Sequence, residues 1–282
     1  MILVFGKTGQ VAKELQHYKN IVPLGRNEVD LVNPKSCYRA ILNCKPKAVI
    51  NAAAYTNVDK AEEEEVLATK INSDAPKAMA KACSKLDIPF IHISTDYVFD
   101  GRGDIPWGVQ DIATPQNAYG RSKLSGEISI RNSGATYAII RTSWIISSHR
   151  NNFVKTMLRL SETRDKIKIV SDQIGGPTYA RDIAHICLQI VKELRLDPIK
   201  SGIYHYSGKP NVSWAELASE IFNQAGKDTQ VEYIYTSDFP MNAKRPLNSR
   251  LDCDTIRQTF GITQPRWTRG LENILKELKV KS

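Results

Sequence analysis

Phe90-Ile-His-Ile-Ser-Thr-Asp96 is the stretch around which the rest of the chain is organised. Its first four residues predict a buried strand, which is followed at once by two hydroxyls and a carboxylate. In open parallel sheets ligands bind beyond the carboxyl ends of the strands, so we expect Ser94, Thr95 and Asp96 to face a cleft. This stretch predicts an α/β fold with a chemical site at the end of the strand.

A second group of reactive side chains follows in Tyr119-Gly-Arg-Ser-Lys123. On a helix, a phenol and an ammonium four residues apart are about 6 Å from each other at Cβ. A phenol with a pKa of about 10 is a poor acid and base at neutral pH, and a nearby ammonium stabilises its phenolate. We expect Tyr119, with its pKa lowered by Lys123, to exchange a proton with a carbonyl or alcohol oxygen. The same spacing also occurs by chance on solvated helices.

The N-terminal segment has the pattern of a strand, a glycine turn and a helix. Ile2 to Phe5 form an apolar run, and Gly6-Lys-Thr-Gly-Gln-Val-Ala12 follows. Gly6 allows a tight turn, Gly9 lets the backbone approach a pyrophosphate at a helix N-terminus, and Ala12 lets the helix pack closely. We therefore expect a dinucleotide-binding turn. It is not a P-loop, because no second glycine is followed by Lys-Ser or Lys-Thr.

The second predicted strand, Ile21 to Leu24, ends at Gly25-Arg26. An NAD-specific fold carries an acidic residue here for the ribose 2′-hydroxyl, and Gly25-Arg26 has no carboxylate. Arg26 could instead pair with a 2′-phosphate. We therefore expect NADPH as the cofactor and NADH as the alternative. The other interpretation of Arg26 is a surface charge.

Further strands and helices continue the alternation. Lys47 to Ile50 predict a third strand, which ends in Asn51-Ala-Ala-Ala-Tyr-Thr56. These small side chains suit close packing against a cofactor, although an alanine-rich strand exit is the alternative interpretation. Val66 to Leu86 predict a long amphipathic helix that leads to the Phe90 strand. Ala138 to Arg141 predict the next strand.

The composition is that of a globular chain of 282 residues, enough for one large domain or two modest ones. The formal net charge of +9 favours anionic partners, but the basic residues are scattered, so we expect small phosphate-bearing ligands and no nucleic acid. Five widely spaced cysteines without a C-x-x-C pair predict free thiols in a reducing compartment. Met1 to Phe5 read as a first strand rather than a signal peptide, and no apolar run approaches the roughly 18 residues of a membrane span. We therefore expect a cytoplasmic protein with no membrane partner.

Together these segments resemble the extended short-chain dehydrogenase/reductases and, within them, the dTDP-4-dehydrorhamnose reductases. The resemblance covers nearly the whole chain. The segments that carry it are Gly6 to Val11, Asn51 to Glu62, Ser94 to Phe99, Gly103 to Trp107, Tyr119 to Lys123, Arg141 to Trp144, Asn151 to Phe153, Asp172-Gln173, Gly176 to Thr178, Arg245-Pro246 and Asn248 to Leu251.

The resemblance implies a Rossmann-like doubly wound parallel sheet with a smaller C-terminal α/β substrate-binding portion. Residues 1–147 would form the dinucleotide-binding domain, with 167–208 returning to it, while 148–166 and 209–282 would form the substrate-binding portion. In the returning part, Ile167 to Val170 and Ile203 to Tyr206 predict strands of the main sheet, with a helix from Ile183 to Leu194 between them. Trp214 to Phe222 and Leu271 to Leu278 predict amphipathic helices.

The resemblance also implies an activity, the NADPH-dependent reduction of the 4-keto group of dTDP-4-dehydro-6-deoxy-L-mannose to dTDP-L-rhamnose. Tyr119 would donate the proton to the sugar C4 oxygen as hydride arrives from nicotinamide, Lys123 would bind the nicotinamide ribose, and Thr95 would hydrogen-bond the same oxygen. Asp96, Trp144 and Val58 would contact the nucleotide-sugar substrate. With Gly6 and Arg26, the cofactor contacts would come from Gly9, Gln10, Val11, Asp30, Leu31, Ala54, Tyr55 and Thr56, with Asp30 meeting the adenine amine.

One departure from the family concerns metal and assembly. Some members form dimers around magnesium held by glutamates from three segments, and here only Glu14 matches, because the aligned positions hold Arg181 and Thr268. One carboxylate beside an arginine provides too few oxygen ligands and an unfavourable charge for magnesium. We therefore expect no magnesium, and a monomer or a weak homodimer.

Two other classes of protein are compatible with these motifs. Another NDP-sugar dehydrogenase, epimerase or dehydratase would also use Tyr-x-x-x-Lys, but a dehydratase needs an extra acid and base, and Thr95-Asp96-Tyr97 lacks an acidic pair. A non-catalytic NADP-binding subunit, such as the regulatory subunit of methionine adenosyltransferase, shares this fold. The presence of Thr95, Tyr119 and Lys123 together argues against that class.

Overall fold

The computed structural model describes residues 1–280 as strands that alternate with helices. The strands are β1 (Ile2–Phe5), β2 (Ile21–Leu24), β3 (Ala48–Asn51), β4 (Phe90–Thr95), β5 (Tyr137–Thr142), β6 (Ile145–Ile146), β7 (Lys166–Val170), β8 (Ile174–Gly175), β9 (Thr178–Tyr179), β10 (Gly202–His205), β11 (Val212–Ser213), β12 (Gln230–Ile234) and β13 (Asn248–Ser249). The α-helices are α1 (Gln10–Leu15), α2 (Pro34–Cys44), α3 (Val58–Ala61), α4 (Glu65–Thr69), α5 (Ala75–Leu86), α6 (Ala118–Arg131), α7 (Phe153–Ser161), α8 (Ala180–Leu196), α9 (Trp214–Gln224), α10 (Asp254–Phe260) and α11 (Trp267–Glu277).

The central sheet has six strands in the order β10-β5-β4-β3-β1-β2, and every neighbouring pair is parallel. Parallel strands need crossover connections, and here the crossover helices cover both faces of the sheet. Buried side chains of α1 and α8 pack on one face, and those of α2, α5 and α6 pack on the other. The predicted doubly wound parallel sheet is therefore confirmed.

The position of the cleft follows from the strand order. The chain places β2 on one side of β1 and then crosses to the other side to form β3. The loops that leave β1 and β3 therefore diverge, and they open a crevice at the carboxyl ends of these strands. The glycine turn follows β1 at this crevice, and the alanine-rich segment follows β3.

The long helix predicted between Val66 and Leu86 consists of α4 and α5 joined by a π-helical turn at Lys70–Asp74. A π turn inserts an extra residue and is often found at functional sites. Here it turns the buried Asn72 side chain toward the loop after β3, where Asn72 Oδ1 accepts from Tyr55 N at 2.8 Å and Nδ2 donates to Tyr55 O at 3.1 Å. The irregular turn thus holds the backbone of that loop.

One strand assignment is wrong. Ile203 to Tyr206 were expected in the main sheet, and β10 does join its edge beside β5. Ile167 to Val170 were also expected there, within the returning part 167–208, but β7 pairs with β12 in a separate two-stranded sheet. β7 alternates buried and exposed side chains, as a strand with one covered face does, whereas the central strands of the main sheet are buried on both faces.

A second apolar core lies in the C-terminal half. Side chains of α7, β7, α9 and α11 form it, with Phe222, Trp267 and Leu271 among the buried members. The predicted helices at Trp214 to Phe222 and Leu271 to Leu278 are both part of this core. None of the helices within residues 1–280 is both long enough and apolar enough to cross a membrane.

Candidate active site

The predicted strand Phe90 to Ile93 is confirmed as the start of β4, and the side chains at its end take different directions. Thr95 and Asp96 are buried at the carboxyl end of the sheet, where the Thr95 hydroxyl donates to Asp96 Oδ1 at 3.1 Å. Ser94 was expected to face the cleft, but its hydroxyl donates to the buried carboxylate of Glu127 below the sheet. Only Thr95 and Asp96 therefore remain as candidates for ligand contact.

Helix α6 carries the predicted Tyr119 and Lys123 pair, and its start fixes their position. Asn117 is the N-cap residue, and its side chain accepts a hydrogen bond from Gly120 N at 2.8 Å. A Cβ at Gly120 would lie 2.2 Å from Tyr97 O, so only glycine lets the helix start approach the segment after β4 this closely. This packing brings the phenol of Tyr119 to the Thr95 hydroxyl.

Lys123 is almost fully buried beneath β4. Its Nζ donates to Ile93 O at 2.7 Å and lies 3.1 Å from His92 Nε2. Burial lowers the pKa of Lys123 to about 8. Sequence reasoning missed His92, although a polar residue two positions before Ser94 on a buried strand is a signal that both face the same helix.

The Tyr119 phenol is affected differently from the sequence expectation. We expected Lys123 to lower its pKa, but burial raises the pKa of Tyr119 above its ordinary value, and Thr95 only partly opposes this. Lys123 is not among the groups that shift the Tyr119 pKa, because its ammonium is directed to Ile93 O and His92. The phenol is consequently protonated at neutral pH, which suits a proton donor.

Asp96 has an oxygen that is free for a ligand. Its Oδ2 is buried and makes no hydrogen bond within residues 1–280, although the Ser249 hydroxyl is near enough to lower the Asp96 pKa. Burial raises the pKa of Asp96 to about 6. A buried carboxylate oxygen without a partner is costly, so a ligand hydroxyl that donates to it would be favourable.

The glycine turn is shaped to receive a dinucleotide. Gly6 has φ +107°, and a Cβ there would lie 3.2 Å from Ala52 C and O, so glycine lets the turn pass close to the backbone of the segment after β3. Gly9 is the N-cap of α1 and offers no side chain to block the helix start. Gln10, the first residue of α1, accepts from the Ser147 hydroxyl at 2.7 Å, and Val11 is buried beneath it. These features fit a pyrophosphate at this helix start.

The end of β2 carries a carboxylate that the sequence analysis did not expect. Glu28 folds back, accepts from Gly25 N at 2.9 Å and forms an ion pair with Lys7. Arg26 is exposed beside it, and Asp30 is also exposed, with Oδ1 accepting from Val32 N at 3.0 Å. Glu28 thus brings a carboxylate to this point although Gly25-Arg26 itself has none, and Leu31 packs at the edge of the core.

The segment after β3 lines the opposite side of the crevice. Ala54 and Tyr55 are partly buried and Thr56 is exposed. The Tyr55 hydroxyl donates to Glu64 Oε2 at 2.7 Å, and its ring packs in the small cluster that includes Tyr119. These residues thus lie between the predicted cofactor turn and the Tyr119 side chain.

Two predicted substrate contacts lie where the main sheet meets the C-terminal half. Val58 is the first residue of α3, and the adjacent Asp59 accepts from Ala243 N at 3.0 Å. Trp144 has φ +48° and stacks on Trp214 with 3.7 Å between ring centroids. Trp214 begins α9, and sequence reasoning missed it as a partner because nothing local links two residues so far apart in the chain.

The carboxylate in the family's magnesium pattern is engaged by an arginine. Glu14 is fully buried, and its Oε2 accepts from Arg181 Nε at 2.8 Å. Arg181 also pairs with Glu277. Thr268 lies in the first turn of α11.

This combination defines a class of protein. The sheet is doubly wound and parallel, and a glycine turn lies at its switch point. A threonine at the end of β4 lies beside a tyrosine and a lysine of α6. These features define an extended short-chain dehydrogenase/reductase, an oxidoreductase of nicotinamide dinucleotides.

The chain belongs to the family described as RmlD substrate binding domain, which it matches over residues 1–280. It is 41% identical to the dTDP-4-dehydrorhamnose reductase of Aggregatibacter actinomycetemcomitans, with 97% of each chain covered. A solved dTDP-4-dehydrorhamnose reductase from Clostridium acetobutylicum superposes with a TM-score of 0.93 at 37% identity over 99% of both chains. Another, from Bacillus anthracis in complex with NADP, superposes with a TM-score of 0.92 at 33% identity over 98% of both chains.

Proposed function

We propose that this protein reduces the 4-keto group of dTDP-4-dehydro-6-deoxy-L-mannose to dTDP-L-rhamnose with NADPH. The observation that carries the proposal is the grouping of Thr95, Tyr119 and Lys123 beside the unpartnered carboxylate oxygen of Asp96. The relatives from Aggregatibacter actinomycetemcomitans and Clostridium acetobutylicum match nearly the whole chain and are dTDP-4-dehydrorhamnose reductases, which supports the substrate.

Residues of the crevice would hold the cofactor. Gly6, Gly9, Gln10 and Val11 would bind the pyrophosphate at the start of α1. The remaining contacts would come from Arg26, Asp30 and Leu31 on one side and from Ala54, Tyr55 and Thr56 on the other. When bound, the reduced nicotinamide supplies the hydride. The NADP complex of the Bacillus anthracis relative supports NADPH as the preferred form, with NADH as the alternative.

Tyr119 is proposed as the general acid. Because burial raises its pKa, the phenol holds its proton until an alkoxide develops at the sugar C4 oxygen. Thr95 would hydrogen-bond the same oxygen and keep it within reach of the phenol. Lys123 would bind the nicotinamide ribose and hold the cofactor beside the phenol.

The sugar is proposed to bind between the two halves of the chain. Asp96 Oδ2 would accept from a sugar hydroxyl, which removes the cost of an unpartnered buried oxygen. Trp144 would offer an apolar ring face and Val58 an apolar side chain. We propose residues 1–147 with 171–208 as the dinucleotide-binding part and 148–166 with 209–282 as the substrate-binding part, to which 167–170 is added because β7 pairs with β12.

The reaction is proposed to proceed without magnesium. The Glu14 carboxylate is already paired with the Arg181 guanidinium, so it does not offer the set of oxygen ligands that magnesium requires. We propose a monomer or a weak homodimer, since the family's glutamate set for a magnesium-linked dimer is incomplete.

The test is a direct assay with dTDP-4-keto-6-deoxy-L-mannose and NADPH. We expect NADPH absorbance to fall with one equivalent of 6-deoxy sugar nucleotide formed, identified as dTDP-L-rhamnose by chromatography and NMR. Formation of a C5 or C3 epimer without NADPH loss would point to an epimerase. A panel of 4-keto nucleotide sugars that all fail to oxidise NADPH, while NADPH still binds, would favour a non-catalytic binding subunit.

A further inference from the structure

A cluster of possible metal ligands lies outside the proposed active site, at the carboxyl end of helix α1. Glu14 is in the last turn of α1, His17 follows three residues later, and His149 approaches from the segment after β6. One ligand atom from each of the three side chains lies within 4.8 Å of the other two. Two imidazoles and one carboxylate are a ligand set typical of zinc and similar divalent metals.

Two of these atoms lack the hydrogen bonds that burial requires. Glu14 is fully buried, and its Oε1 has no hydrogen-bond partner within the part of the chain that the structure describes. His149 Nε2 contacts Glu14 Oε1 at 3.2 Å, but the orientation of the two groups does not make this contact a hydrogen bond. Two ligands of one tetrahedral metal, each bound at 2.0–2.2 Å, are about 3.3–3.6 Å apart. The contact between Glu14 Oε1 and His149 Nε2 is thus slightly shorter than the separation of two ligands on a shared metal, and neither atom makes a hydrogen bond among the described residues.

The surrounding charges permit a cation. Arg181 Nε donates to Glu14 Oε2 and leaves Oε1 to the side of His149, and a second carboxylate, that of Glu277, also pairs with Arg181. One guanidinium and two carboxylates have a net charge of −1. Arg181 thereby orients the Glu14 carboxylate, as outer-shell partners of metal ligands commonly do.

The position of His149 is fixed by its own backbone contacts. Its N donates to Ser147 Oγ at 3.1 Å, and its O accepts from Asn152 Nδ2 at 3.1 Å. His17 is exposed and can adjust its rotamer to complete the set. The fourth position of a tetrahedral metal would then be left for water.

We propose that Glu14, His17 and His149 bind one divalent transition metal of the zinc type. The metal joins the end of α1 to the 147–152 segment. Gln10 at the start of α1 already bonds Ser147, so the metal makes a second connection between the cofactor turn and the segment that leads to α7. Magnesium does not substitute, because two of the three ligands are imidazole nitrogens.

The experiment uses the full chain without a histidine tag, stripped with EDTA and then titrated with zinc by calorimetry and with cobalt by visible absorption. We expect one equivalent to bind, with cobalt d–d bands, and zinc at a hundred times its Kd to raise the Tm by about 5–10 °C. Millimolar magnesium should leave the Tm unchanged. Absence of a stoichiometric site, or a Tm that rises with magnesium and not with zinc, would overturn the proposal.

Three single variants locate the site. His17→Gln and His149→Gln should each weaken zinc binding by at least about 10- to 100-fold. His185→Gln is the matched control, because His185 is an exposed histidine on α8 outside the cluster, and it should bind zinc like the wild type. His17 is exposed, so its variant should fold normally, and wild-type zinc affinity in that variant would contradict the assigned ligand set.

Discussion

Lys123 Nζ lies 3.1 Å from His92 Nε2, and the hydrogen bonds around them determine which atom carries the proton. Asn51 Oδ1 accepts from Ala53 N at 3.2 Å, which turns Asn51 Nδ2 toward His92 Nδ1 at 3.1 Å. This assigns Nδ1 as an acceptor and places the ring proton on Nε2. Burial holds the pKa of His92 well below its usual range, so the ring is neutral. The Nε2–H group then favours the neutral amine of Lys123, consistent with its lowered pKa.

The first prediction concerns the pH profile. If the Lys123 ammonium is needed for catalysis, kcat/KM of the wild type should fall as the pH rises through about 8. In His92→Gln the amide oxygen can accept from the ammonium, which raises the Lys123 pKa and moves this alkaline limb to higher pH. Steady-state kinetics between pH 6 and pH 10 measure the alkaline limb of the wild type and of the variant. An alkaline limb at the same pH in both proteins would show that His92 does not lower the Lys123 pKa.

A second prediction concerns stability, because Lys123 is buried at a cost. Its pKa of about 8 in the folded state, against an ordinary value of 10.5, corresponds to about 3 kcal/mol. Between these two pH values the unfolded state binds more protons, so stability should rise as the pH increases from about 8 to 10.5.

Lys123→Met should therefore abolish reduction and yet raise the free energy of unfolding at pH 7 by about 1–3 kcal/mol, since the lost bond to Ile93 offsets part of the gain. The gain should shrink toward pH 10. Urea unfolding of the cofactor-free protein at both pH values measures it. Lys81→Met, at an exposed position of α5, is the control and should show no such pH dependence. A less stable Lys123→Met at pH 7 would contradict the argument.

The third prediction tests the proton donor. Tyr119→Phe keeps the ring and removes only the hydroxyl, so turnover should fall by about 10²-fold or more while NADPH affinity stays nearly unchanged. Tyr97→Phe is a matched control, because the Tyr97 ring is 5.6 Å from that of Tyr119 and loses the same group outside the proposed proton path. Single-turnover kinetics and fluorescence titration of NADPH separate the two effects. Wild-type turnover in Tyr119→Phe would mean that another group donates the proton.

The sequence predicts those parts of the fold and site that depend on local patterns. The apolar run before Thr95 and the glycines at Gly6 and Gly9 are sufficient for the strand, the turn and the helix that follows, because strand ends and glycine turns are determined within a few residues. Contacts between distant segments are not determined in this way. The pairing of β7 with β12 and the burial of Ser94 against Glu127 both depend on packing between segments far apart in the chain.

The same limit applies to the charges around the site. From spacing alone, Lys123 was expected to lower the Tyr119 pKa. The depth of burial and the position of Ile93 O outweigh that spacing, and neither can be read from the positions of the two residues. Glu28 was missed because its carboxylate reaches the end of β2 only after the chain turns back at Gly25.

The last prediction concerns cofactor choice at the end of β2. Arg26 is exposed and could pair with a 2′-phosphate, and a hydrogen bond between charged groups contributes about 1.5–3 kcal/mol, so the arginine should favour NADPH over NADH by about 10-fold, the low end of that range. Arg26→Ala should lose that preference because its KM for NADPH rises while its KM for NADH stays unchanged. Glu28→Gln should strengthen NADPH, because it removes a negative charge and frees Lys7. Arg131→Ala, at the far end of α6, is the control, and KM ratios for the two cofactors provide the measurement. If Arg26→Ala weakens both cofactors equally, Arg26 does not read the 2′-phosphate.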